Sequence, residues 1–180
     1  MITKVTMVMV SSLNGKITYN SDPDIYKWTS PEDSQIFFDL VKKSDMVIMG
    51  SLTYQSVRSK INPNSGPFRL VITHDPQKFV NDTIPKRLEF TSDSPQQIFD
   101  RFKSKYKNIL LVGGGEINSL FLKSKLVNEL HLTIEPLIFG NGKNLIADSN
   151  LNINCDLLQI KKLNQKGTLL LIYQLNYEKN

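Results

Sequence analysis

The sequence predicts an α/β fold with a mainly parallel sheet, helices on both faces and an antiparallel end. Three observations predict it. Short apolar runs rich in β-branched residues alternate with helical patterns over the first two thirds of the chain. Those early runs are nearly continuously apolar, as strands covered on both faces must be. The last three runs alternate more and have no long helical pattern between them, so they close the sheet with antiparallel neighbours.

The elements follow in order. The runs "VTMVMV" (5–10), "MVIMG" (46–50), "RLVIT" (69–73) and "NILLV" (108–112) read as the early strands. "ELHLTIEPLI" (129–138), "DLLQIKKL" (156–163) and "TLLLIYQLNY" (168–177) read as the late ones. The first helical pattern, "SPEDSQIFFDLVKKS", has Ser30 as its cap, Pro31 in its opening turn and early acids. Its Ile36, Phe37, Leu40 and Val41 share one face. "SLTYQSV" (51–57) is a short helix straight after a strand. "SPQQIFDRFKSKY" (94–106) repeats the Ser-Pro start and groups Ile98, Phe99 and Phe102. "GEINSLFLKSK" (115–125) is the last helix. Between residues 58 and 68, "RSKINPNSGPF" has the Pro, Gly, Asn and Ser content of a surface loop. No repeat or linker divides the 180 residues, and one domain is expected.

Composition narrows the function classes. Hydrophobic residues make up 40% and charged residues 22%, as in an ordinary globular chain. The net charge of +5 comes from scattered Lys and Arg, without the clusters and interleaved aromatics of a nucleic-acid binder. A mild positive field favours phosphorylated ligands. No segment approaches the length of a membrane span, and the start lacks a secretory pattern. The single cysteine, Cys155, excludes an intrachain disulfide and a multi-cysteine metal site. No His sits near it to activate it as a nucleophile, and a reducing cytoplasm fits. No metal is expected.

The chemistry points to two strand-to-helix junctions. In "NILLVGGGEINSLFLK" a strand delivers the chain to Gly113, Gly114 and Gly115, and Glu116 begins a helix. Glycine serves where φ is positive or where a partner presses on the backbone. A helix start presents unpaired N–H groups and a partial positive charge, which suits a phosphate. In an open α/β sheet this is also where ligands bind. The pattern is neither G-x-G-x-x-G nor a P-loop. In "VIMGSLTYQSV", Gly50 is followed by Ser51 and Thr53 at a second junction able to hold the other half of an extended anion.

"VIMGSLTYQSV" resembles the cofactor-binding signature of dihydrofolate reductase. "SSLNGKIT" (11–18), "KWTSPED" (27–33) and "LVGGGEINSLFLKSKLVNELHLTIEPLIFGNGKNLI" (111–146) resemble more closely the reductase domain of the bifunctional riboflavin-biosynthesis deaminase/reductase. The resemblance runs in order from about residue 4 to 176. It implies a three-layer, dihydrofolate reductase-like fold with a central, mostly parallel eight-stranded sheet and an antiparallel C-terminal strand. It implies NADPH as cofactor, a small-molecule substrate, a homodimer and no zinc chemistry.

Carried over motif by motif, the resemblance assigns Gly50, Ser51 and Thr53 to the cofactor phosphates or adenosine side, and Thr73 and His74 to the 2′-phosphate region. It lays Gly113, Gly114, Gly115, Glu116 and Ile117 along the pyrophosphate. Ser12, Gly15, Lys16 and Ile17 fall in the loop crossing the nicotinamide. Asn14, Lys16, Trp28 and Glu135 are the substrate-side candidates. The family substrate is 5-amino-6-(5-phosphoribosylamino)uracil, reduced at the ribose C1′.

Three departures touch the substrate side. Asn14 stands where the family has Asp, and Val112 where it has Glu. The Asp-Asp-Pro segment and following Arg that grip the ribose phosphate are absent, with Arg58 as a substitute. Asp33 resembles the carboxylate that faces the pterin in dihydrofolate reductase, and makes a pterin or other small heterocycle the alternative substrate. A nucleotide-binding protein without turnover is the second alternative.

Overall fold

A computed structural model describes residues 2–62, 64–148 and 150–177. Eight strands form one sheet: β1 (Lys4–Ser12), β2 (Met46–Gly50), β3 (Phe68–Ile72), β4 (Leu88–Thr91), β5 (Asn108–Leu111), β6 (Glu129–Glu135), β7 (Asn154–Lys162) and β8 (Leu169–Asn176). Four α-helices join them: α1 (Pro31–Lys43), α2 (Ser51–Val57), α3 (Pro95–Phe102) and α4 (Gly115–Lys123). The strand order is β4-β3-β2-β5-β1-β6-β8-β7. Every pairing from β4 to β6 is parallel, and β8 runs antiparallel to both its neighbours. The short β4 falls outside the seven apolar runs. It holds its place through parallel pairing with β3 between Arg69 and Ile72.

Alternation along the parallel strands divides the core in two. Val5, Met7, Met46, Ile48, Leu70, Ile109 and Leu111 pack toward Ile98 and Phe102 of α3 and Phe121 and Leu122 of α4. Val8, Val47, Met49, Val71 and Leu110 pack toward Tyr54 of α2 and Phe37, Leu40 and Val41 of α1. Helices thus cover both faces, which is why these strands read as continuous apolar runs. Phe37, Leu40 and Val41 remain only half-buried and Phe38 is exposed; Asp33 is the buried residue of α1. The reason is local: part of this helix faces a cleft.

Helix ends follow their caps. The Ser30 hydroxyl accepts from the Asp33 N–H, and Ser94 and Gln97 form a capping box on α3. The α3 helix ends at Phe102, short of the expected 106, and β6 ends at Glu135 before Pro136. The loop expected at 58–68 opens with a 3-10 turn over Arg58–Lys60, and its Pro63 lies outside the described residues.

Candidate active site

A single cavity of about 990 Å³ runs across the carboxyl ends of β1, β2 and β3 and between α1, α2 and α4. Its walls include Ile17, Asp33, Gly50, Ser51, Thr53, Thr73, His74, Gly114, Gly115, Glu116 and Ile117. Its lining includes the glycine turns, Thr73, His74 and Ser94, and also Asp33, Phe37, Lys60 and Arg69.

The two glycine turns are tied together. Gly50 N–H donates to the Gly113 carbonyl at 2.8 Å. Gly50 caps α2 and Gly114 caps α4, and neither start has a side-chain hydrogen bond. The contrast with the serine-capped α1 and α3 is local and chemical. α1 and α3, whose Asp33 and Ser94 also line the cavity, close their starts with a serine hydroxyl, whereas no side chain closes the starts of α2 and α4.

The bareness of the glycines has several causes. Gly113 has φ +87°, the left-handed region, and a Cβ there would meet the Met9 side chain at 3.1 Å. A Cβ on Gly115 would lie 2.3 Å from the Asn144 carbonyl oxygen, and one on Gly50 would lie 2.9 Å from Ile117 Cγ1. Protein atoms therefore account for these three. Gly114 differs: its nearest neighbours would be Thr53 Oγ1 at 3.7 Å and Ile17 Cδ1 at 4.0 Å, both on the cavity wall. Two open helix starts meeting at one bare residue fit an extended diphosphate. Ser51 is the first helical residue of α2, so its hydroxyl does not serve as the cap.

Asp33 is 8% exposed. Burial pushes its carboxyl up to about 6; the Thr133 hydroxyl favours the charged form, and the nearby Glu135 charge disfavours it. Glu135 itself is 4% exposed and fully engaged. Its two oxygens accept from the Ser30 N–H and the Thr168 hydroxyl, both at 2.7 Å. It therefore holds the start of α1 against β6 and lies off the cavity wall. Trp28 also lies off that wall, edge-on to Phe139 at 5.2 Å, with its buried Nε1 lacking a partner among the described residues.

The loop after β1 is braced from inside. The Ser12 hydroxyl donates to Asn14 Oδ1, and the Asn14 amide donates to the Phe139 carbonyl, each at 2.7 Å. Gly15 has φ +74°. Lys16 Nζ donates to Asn144 Oδ1 at 2.7 Å. Of this loop, Ile17 and Thr18 reach the cavity. His131 bonds Glu129 within β6, a structural position.

Sequence reasoning passed over Thr133, Tyr26, Lys60 and Arg69. Tyr26 and Lys60 both line the cavity, the Lys60 ammonium 3.9 Å from the ring centroid. Arg69 carries a readable signal, a lone charge in an apolar strand. Thr133 carries none, since its partner lies 100 residues earlier.

The family model described as RibD C-terminal domain matches residues 3–169. The Bacillus subtilis protein YyaP is 23% identical over 158 residues, which cover 83% of this chain and 84% of that one. A pyrimidine reductase-like protein from Corynebacterium diphtheriae superposes with a TM-score of 0.79 at 16% identity, over 98% of this chain and 93% of the other. A dihydrofolate reductase from Enterococcus faecalis complexed with NADP(H) superposes with a TM-score of 0.66 at 15% identity, over 97% of each chain.

Proposed function

The chain belongs to the RibD C-terminal domain family and has the dihydrofolate reductase-like fold, and from that premise we propose that it is an NADPH-dependent reductase of a small molecule bearing a nitrogen heterocycle. The observation that carries the reading is one cavity in which two uncapped helix starts lie beside a buried carboxylic acid. NADPH, when bound, supplies a hydride. Gly114, the open N–H groups of α4 and the start of α2 hold its diphosphate, and Thr73 and His74 line its adenosine end. Ile17 packs along the cofactor and helps to exclude water.

Asp33 supplies the proton. A carboxyl raised to about 6 keeps roughly a tenth of its population protonated at pH 7, where an ordinary aspartate keeps less than about a thousandth. Reduction of a carbon–nitrogen double bond takes a hydride at carbon and a proton at nitrogen. The acceptor is 5-amino-6-(5-phosphoribosylamino)uracil, whose opened ribosylamine presents such an imine at C1′. One observation favours a pterin as the second reading: Asp33 stands beside the apolar, half-buried face of Phe37, a wall suited to a flat ring.

Turnover decides. NADPH oxidation followed by absorbance with the phosphoribosylaminouracil supports the first reading, and oxidation with 7,8-dihydrofolate instead supports the second. NADPH binding without oxidation in either case leaves a nucleotide-binding protein and overturns the reductase.

A further inference from the structure

We propose that the amino-end edge of the sheet, remote from the candidate active site, carries a second anion site, and that it takes a small molecule bearing two or more phosphates. Anion binding there is independent of the reductase reading.

The register of the parallel strands makes the site. β2, β3, β4 and β5 pair in parallel, so all four begin on one edge, while the cavity described above crosses carboxyl ends. Asp45, Pro67, Arg87 and Lys107 are the residues just ahead of these strands. Main-chain hydrogen bonds hold them side by side. The Arg69 N–H donates to the Arg87 carbonyl at 2.9 Å, the Phe68 N–H to the Asp45 carbonyl at 3.1 Å, and the Asp45 N–H to the Asn108 carbonyl at 2.9 Å. With strands about 4.8 Å apart, Arg87 and Lys107 stand roughly 14 Å from each other across the edge. Lys86 adjoins Arg87, Lys105 follows α3, and Lys42 comes from the last turn of α1. Lys42, Lys86, Arg87, Lys105 and Lys107 line one open hollow of about 720 Å³. Scattered along the sequence, these cations become neighbours only through the fold.

Their charge is not balanced from within. Asp45 is the carboxylate of the lining, and its Oδ2 accepts from the Lys107 and Asn108 N–H groups, both at 2.9 Å. Asp39 reaches Lys42 at 3.9 Å. Lys86, Arg87, Lys105 and Lys107 have no carboxylate partner among the described residues. Arg87 Nη1 donates to the Gly66 carbonyl at 3.1 Å, which anchors the guanidinium and leaves its other N–H groups to a ligand. Lys86 has φ +63°, where Gly or Asn would sit at lower cost, yet a cation stands there. Like charges gathered on one surface attract a multivalent anion, and ammonium groups suit phosphate. A nucleic-acid strand fits less well, because it needs open aromatic faces for its bases. Phe68 and Phe102 are buried, and Tyr106 stacks on Phe68 at 5.7 Å with the Lys105 ammonium 5.1 Å from its ring centroid.

Inorganic tripolyphosphate is the probe. It is titrated into isotope-labelled protein against sodium chloride at equal ionic strength, and amide resonances are followed at Lys86, Lys105 and Lys107 and, separately, at Gly114, Glu116 and Ile117. A saturable, sub-millimolar shift of the first group, weakened about tenfold or more by Lys86→Gln combined with Lys107→Gln, is the expected result. Both substituted side chains are exposed, and an unchanged unfolding temperature checks that the variant is folded. No saturable shift at the first group, the same shift with chloride, or undiminished binding by the double variant overturns the site. A short oligothymidylate that binds these amides tenfold tighter than tripolyphosphate overturns the small-ligand assignment. Shifts at Gly114, Glu116 and Ile117 are a separate readout that bears on the reductase reading alone.

Discussion

At the scale of single residues the account turns on Asp33. Its folded pKa of about 6 lies above the ordinary carboxylate value of 3.8. A raised carboxylate penalises the fold as it ionises, so the penalty is absent below the unfolded value and complete above the folded one. A difference of about two units corresponds to roughly 3 kcal/mol. Asp33→Asn should therefore raise denaturant stability by up to that amount above pH 7, with the gain fading toward pH 4. The same substitution should abolish acid-assisted turnover. Wild-type kcat/KM should fall as pH rises through about 6. Thr133→Val, which removes the group favouring ionisation, should move that limb to higher pH. An unmoved limb would mean that Asp33 is not the titrating acid. Asp33 was legible as an acid in a helix's first turn, but its burial was not, because Thr133 and Glu135 reach it from β6 across the fold.

Among the elements, the glycine turns divide into those kept bare by the protein and one that is bare toward the cavity. Gly115→Ala sets a methyl against the Asn144 carbonyl and displaces the segment that Asn118 and Ser119 hold at Leu145, Ala147 and Asp148. It should lower stability by roughly 2 kcal/mol or more through forced backbone movement. Gly114→Ala meets only ordinary contacts, so its stability loss should be smaller while NADPH affinity falls at least tenfold. Chemical denaturation and calorimetric titration of the pair check both statements. The sequence marked the three glycines as a ligand turn. It did not show that residues 144 and 145 fold back over Gly115, because that segment has no periodicity to place it. The serine caps of α1 and α3 were legible from local chemistry alone.

For the whole molecule, the α/β sheet with its antiparallel end was readable because burial on both faces writes continuous apolar runs. The crossover order was not, since nothing local tells β1 that β5 and β6 are its neighbours. β7 forms one edge of the sheet, with Leu157, Leu158 and Ile160 more than half exposed. A long apolar edge of this kind invites a partner. We expect a homodimer, seen as about twice 20.5 kDa by sedimentation, and Leu158→Lys should weaken it. Monomeric wild-type protein at micromolar concentration would refute this.

The most direct test of the central claim is the unfolding temperature of the protein with and without NADPH. A ligand that binds only the folded chain stabilises it by about 2.7 kcal/mol at a hundred times its Kd. For a chain of this size that is a rise of roughly 5–10 °C, and it should shrink in Gly114→Ala. An unfolding temperature unmoved by millimolar NADPH would contradict the account.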